Sequence, residues 1–90
     1  MKFEWGSYKA ALNKQRHKVT FTEATEAFFD PNGVDDFDFE HSDEEARYNL
    51  IGLSSRRLLF VVYTETDNAV RIISARKAEK KHRRIYEHGR

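Results

Sequence analysis

The sequence predicts an α+β domain in which two N-terminal helices and one C-terminal helix pack with a small antiparallel β-sheet. Three observations carry this expectation. Helix signals lie near both ends of the 90-residue chain, and β-forming runs crowd its second half. The turns between those runs are also short. A parallel return between consecutive strands needs a dozen or more residues, so short turns leave only antiparallel neighbours.

The elements follow in order. Lys2-Phe3-Glu4-Trp5 alternates polar with aromatic, as a half-buried strand does, and Gly6-Ser7 breaks it. Ser7 is a candidate N-cap for a first helix. Tyr8, Ala11, Leu12 and Gln15 fall on one side of it at helical spacing, and Lys9, Asn13, Arg16 and His17 fall on another, mostly cationic side. Thr20-Phe21-Thr22-Glu23 reads as a capping box opening a second short helix, with Ala24, Ala27 and Phe28 inward. Asp30-Pro31-Asn32-Gly33 stops it with a turn. From Asp35 to Glu45 there are seven carboxylates and no lysine or arginine, while Phe37 and Phe39 alternate with acids. That pattern fits a solvated loop or a short edge strand with one aromatic face. Arg47 to Leu53 alternates as a strand, and Leu58 to Thr64 is an almost unbroken β-former run, the pattern of a central strand. A further strand spans Val70 to Ser74. Ser74 or Ala75 then opens a final helix with the apolar stripe Ala75, Ala78, Ile85 and Tyr86, closed by Gly89.

Composition bounds the function. With 39% apolar and 34% charged residues, the chain fits one small domain, residues 1–90, with a single core. It has no cysteine, so disulfides and thiolate metal sites are excluded, which agrees with a reducing cytoplasm. The longest apolar run, Leu58 to Tyr63, is far short of the roughly 20 residues of a bilayer helix, and no apolar signal core follows Met1, so no membrane role or export is expected. The net charge of +1 hides a segregation. Residues 1–45 carry 5 basic and 11 acidic side chains, whereas residues 46–90 carry 11 basic and 4 acidic ones. A cationic second half carried on strand and helix suits a phosphate ligand, nucleic acid in particular, or a partner of complementary charge.

The pattern also resembles a known family. Trp5 with Lys9 and Asn13, His17-Lys18-Val19-Thr20-Phe21, Glu23-Ala24 and Phe29-Asp30-Pro31 are similar to the N-terminal half of the BrnT family of toxin ribonucleases. Arg47, Gly52-Leu53-Ser54, Arg57-Leu58-Leu59, Thr64-Glu65, Arg71-Ile72-Ile73-Ser74-Ala75-Arg76, Ala78 and Tyr86-Glu87 resemble its second half, Arg71 to Arg76 most specifically. The resemblance implies a RelE-like fold and a metal-independent endoribonuclease that stops translation in the cytoplasm. It further implies a BrnA-like ribbon-helix-helix antitoxin as partner, with operator DNA contacted only through that antitoxin. The chain departs from the family pattern at Gly6, usually aspartate, Lys18, usually glycine, Thr66, usually basic, and Arg56, where glycine is usual. Gly6 and Thr66 each remove a charge from near the expected site. A catalytically weak co-repressor or RNA-binding module of the same fold is therefore the alternative expectation.

Metal-free RNA cleavage needs a base for the 2′-hydroxyl proton, an acid for the leaving 5′-oxygen and fixed cations on the phosphate. Arg76 and Arg57 are the candidates for holding the phosphate, since a guanidinium donates two parallel hydrogen bonds and stays charged; a salt bridge is the alternative for each. His17 is a candidate base or acid, or else a cation at the helix C-terminus. Glu65 is a candidate base, or a partner of Arg71 across the hairpin. Tyr86 either contacts RNA or packs in the core. Lys9, Arg16, Arg71, Lys77, Lys80, Lys81, Arg83 and Arg84 are the expected RNA-binding and steering cations. No metal or other cofactor is expected, because His41 with Asp43 and Glu44 is the only cluster and lacks a second nitrogen donor. The carboxylates from Asp35 to Glu45 would keep RNA off one flank or meet basic residues of an antitoxin.

Overall fold

The computed structural model describes residues 1–89. Its elements are β1 (Phe3–Glu4), α1 (Ser7–His17), α2 (Phe21–Ala27), β2 (Val34–Phe37), a 3-10 turn (Phe39–His41), β3 (Tyr48–Leu53), β4 (Leu58–Glu65), β5 (Val70–Lys77) and α3 (Lys80–His88). The five strands form one sheet in the order β1-β5-β4-β3-β2. The class is α+β, with one adjustment. β2 to β5 are antiparallel neighbours, but β1 runs parallel to β5, pairing Phe3 with Val70, so the sheet is mixed. Short turns dictate direction only between consecutive strands, and β1 reaches β5 through the whole intervening chain.

The core lies between the sheet and α2, with Val19 and α1 closing one side. Leu59, Val61 and Tyr63 of β4, Leu50 of β3 and Ile72 and Ala75 of β5 meet Phe21, Ala24 and Ala27 of α2. Alternation along β4 turns Phe60 and Val62 to the opposite face, where they are half-buried. Helix α2 presses closely on β3: a Cβ at Gly52 would stand 2.6 Å from the Ala27 carbonyl oxygen, so only glycine fits. The Thr20 hydroxyl caps α2 by accepting from the Glu23 amide. The expected return bond from Glu23 to the Thr20 amide is replaced, because that carboxylate turns to Arg57 and Ser54.

Two other elements differ from expectation. On α1, Tyr8 is 76% exposed and Ala11 and Gln15 are exposed, while Asn13 is buried. Asn13 Nδ2 donates to the carbonyls of Val19 and Ala75, and its Oδ1 accepts from the Ala75 amide. The side-chain amide thus pairs the outer edge of β5 as another strand would, and that buried demand outweighs a weak apolar stripe. The first helical residue is Ser7, after an N-cap at Gly6. At the other end, β5 runs on to Lys77, and α3 starts only after Glu79. Ala75 is a core strand residue, not a helical one. Glu79 and His82 exchange capping bonds, the Glu79 amide donating to His82 Nδ1 at 3.0 Å.

Candidate nucleic-acid interface

The face of the sheet turned away from α2 carries a cavity whose floor mixes apolar side chains with polar ones and an arginine. Asn49 of β3, Phe60 and Val62 of β4, and Ile73, Ser74 and Arg76 of β5 form the floor of a cavity of about 490 Å³. His17, the last residue of α1, borders one side, and Asp38, Glu40, His41 and Arg47 border it from the acidic segment. The β5 backbone helps to shape it. Pairing steps from Val62–Ser74 to Tyr63–Ile72, leaving Ile73 as a bulge, and such an insertion bends the strand and re-aims its side chains.

The cavity continues along α1. A second depression shares His17, Ile73 and Ser74 with it and adds Lys9 and Arg16. A third adds Arg71 and Tyr8 and returns to Lys9, Arg47 and Ile73. Together they make one trough bordered by basic side chains from three segments: Lys9, Arg16 and His17 on α1, Arg47 before β3, and Arg71 and Arg76 on β5. The same polar face of α1 that the sequence grouped together lines this trough, although its Asn13 is turned inward to β5.

Arg76 is 40% exposed, 3.5 Å from Glu79 and 5.3 Å above the Phe60 ring. His82 stacks on that same ring, with centroids 4.1 Å apart. Burial, helped by Arg76, pushes the His82 pKa down, and accepting at Nδ1 requires the neutral ring. Arg71 donates to Glu45 at 2.6 Å and so pairs with the acidic segment, not with Glu65. Asn49 Oδ1 is a buried acceptor with no hydrogen-bond partner among the described residues. Asn49 as a residue also lines the cavity.

The structure does not bring every expected residue here. Arg57 shares the parity of Leu59 and lies on the helix face of the sheet, whereas Arg76 pairs opposite Phe60 on the other face. Arg57 Nε and Nη2 donate to the two Glu23 carboxylate oxygens at 3.0 and 2.8 Å, and Nη2 also donates to the Lys18 carbonyl. That pairing drives the Glu23 pKa down against the opposing effect of burial. Of the two arginines expected to hold the phosphate, only Arg76 therefore faces the cavity, because side-chain alternation puts Arg57 on the other side of the sheet. Glu65 is exposed at the far end of β4, outside the trough lining. Tyr86 donates its hydroxyl to Asp30 at 2.6 Å, with its pKa pushed up to about 12 by burial and that bond. Lys77, Lys80, Lys81, Arg83 and Arg84 are exposed on β5 and α3.

Arg47, Asn49, Phe60, Asp38 and His41 are lining residues that the sequence did not single out for this face. A signal existed for two of them, since Arg47 and Asn49 alternate with the apolar Leu50 and so share the face opposite the core. Among the described residues no group of three or more His, Asp or Glu side chains stands close enough to hold a metal ion. No helix among the described residues is long and apolar enough to cross a membrane.

Comparison with known proteins adds one finding. The family model described as "Ribonuclease toxin, BrnT, of type II toxin-antitoxin system" matches residues 5–82, most of the chain and every trough cation. No curated protein matches it significantly.

Proposed function

This chain belongs to the BrnT family of ribonuclease toxins of type II toxin-antitoxin systems, and from that premise we propose that the cationic trough is where it holds and cuts RNA. The observation that carries this reading is the meeting of basic side chains from three separate segments along one sheet face. A phosphodiester backbone is a line of negative charges, and a trough that offers cations at intervals on rigid elements suits it.

Arg76 and Arg47 hold the scissile phosphate, and their charge offsets the extra charge of the crowded transition state. His17 stands at the rim as a proton-transfer group. Lys9, Arg16 and Arg71 follow the flanking backbone, while Lys77, Lys80, Lys81, Arg83 and Arg84 supply a field that speeds encounter. Arg57, held by Glu23, stabilises the fold. Attack by the 2′-hydroxyl needs no metal ion, since guanidinium groups and proton carriers supply the stabilisation. The antitoxin partner is of the BrnA-like ribbon-helix-helix kind, covers the trough and alone contacts operator DNA. Both the substrate and the target process place the toxin's work in the cytoplasm.

The test is direct. Antitoxin-free protein is incubated with single-stranded RNA in EDTA, with and without ribosomes. Fragments ending in 2′,3′-cyclic phosphate are expected, and their loss in Arg76→Ala. Intact RNA in both settings, with protein shown to be folded by circular dichroism, would refute the reading.

A further inference from the structure

The acidic segment is held to the sheet. The Asp38 amide donates to the Arg47 carbonyl at 2.8 Å, and the Ser42 hydroxyl bridges the loop by donating to the Asp38 carbonyl and accepting from the Arg47 amide. This lacing fixes three side chains at the cavity wall, Asp38, His41 and Arg47. Within it, His41 Nδ1 lies 2.9 Å from Asp38 Oδ2. Asp38 is the shielded partner, its side chain 13% exposed, whereas the His41 ring is 63% exposed. A carboxylate there selects the tautomer with the proton on Nδ1 and leaves Nε2 as the basic nitrogen.

Building on the RNA-cleaving reading of the trough, we propose that His41 is the general base of the reaction and Asp38 its positioning residue, with His17 across the same cavity as the acid. His41 Nε2 takes the proton of the 2′-hydroxyl. The 2′-oxygen forms its bond to phosphorus as the bond from phosphorus to the 5′-oxygen breaks, and that oxygen takes the proton carried by protonated His17. The products are a 2′,3′-cyclic phosphate and a 5′-hydroxyl, with no further reactant. The segment's acidity then has a use: it supplies the carboxylate that orients the base. Arg47, laced into the same loop, is held beside the phosphate.

The groups facing His41 are Asp38, Glu40, Asp43, Glu44, Glu45 and Arg47 of its own segment, with His17 of α1 and Arg76 of β5 on the cavity walls. Asp38 is the carboxylate that pairs with the ring, so the readout for Asp38 is rescue of the rate by a conservative acid. Single-turnover cleavage of a short RNA is measured against pH for wild type, His41→Gln, Asp38→Asn, Asp38→Glu and Glu40→Gln. His41→Gln, at an exposed position, is expected to keep the melting temperature and lose about 10²–10⁴-fold in rate, together with the acid limb of the profile. Asp38→Asn is expected to lose less, with part of the loss recovered in Asp38→Glu, because the carboxylate that orients the ring is gone. Glu40→Gln is expected to lose less than Asp38→Asn, because Asp38 and not Glu40 pairs with the ring. His41→Gln cleaving at the wild-type rate with an unchanged profile, or Glu40→Gln taking the large loss instead, would overturn the proposal while leaving the trough as the site. Wild type that cleaves no RNA would overturn the function reading itself, a separable result.

Discussion

Arg57 and Arg76 border the same central strand and have opposite lives. Arg57 sits on the helix face, its guanidinium shared between the Glu23 carboxylate and the Lys18 carbonyl, and is 22% exposed. Arg76 sits on the open face, with a loose contact to Glu79 and a ring beneath it. The comparison teaches that chemical type says little about role on a sheet. Parity decides which face a side chain joins, and the neighbours on that face decide whether its charge is already used or still available for a ligand.

The sharpest way to break this contrast is to remove each arginine. Arg57→Ala strands a mostly buried carboxylate and is expected to destabilise folding by about 3–5 kcal/mol, read by urea denaturation. Cleavage per folded molecule should hold near wild type. Arg76→Ala is expected to do the reverse, slowing cleavage by about 10²–10³-fold, about 2.7–4 kcal/mol in activation free energy, with the denaturation midpoint nearly unmoved. If both variants lose stability, or both lose only activity, the division of labour between the two faces is wrong.

Acid should sharpen the same contrast. Glu23 titrates below its ordinary 4.5, chiefly through Arg57. Its contribution is therefore complete above that value and is lost as pH falls through the lower folded value. His82 is held below its ordinary 6.5 by burial. Its neutral form is thus favoured by folding, so its share is complete above about pH 6.5 and declines as acid protonates it. Denaturation curves should show stability falling from near pH 6 downward, with the upper part of the decline absent in His82→Gln and the lower part absent in Glu23→Gln. A flat stability profile between pH 7 and 4 would contradict both assignments.

The smallest expected effect lies at the end of α1. Lys18 adopts the left-handed conformation, φ 59° and ψ 31°, and its amide closes the helix on the Lys14 carbonyl. A non-glycine residue there costs about 1 kcal/mol, so Lys18→Gly should raise stability by roughly that amount in thermal melts. The glycine usual in the BrnT pattern at this position has the same explanation.

Much of the fold was legible because its signals are local. The threonine before α2, the turn at Asp30 to Gly33 and the apolar run of β4 each act within a few residues, and each appears where the sequence put it. The late end of β5 was not legible, since Ser74, Ala75 and Arg76 suit helix as well as strand. Pairing with Phe60, Val61 and Val62 on β4 settles them as strand. Of the site, the cations of β5 and the polar face of α1 could be read from periodicity. The contribution of the acidic segment could not, because a run of carboxylates reads as solvent-facing unless a lacing such as that of Ser42 to Arg47 brings it to the sheet.

By itself, then, the sequence determined the class, the element order and the separation of acidic from basic halves, because periodicity, caps and charge are properties of neighbouring residues. Only the tertiary structure decided which arginine is held in an ion pair and which faces the trough, that Asn13 pairs a strand edge, and that His41 meets the same cavity as His17 and Arg76. Those outcomes depend on side chains far apart in the chain competing for buried partners, and such competition is settled only once the sheet has assembled.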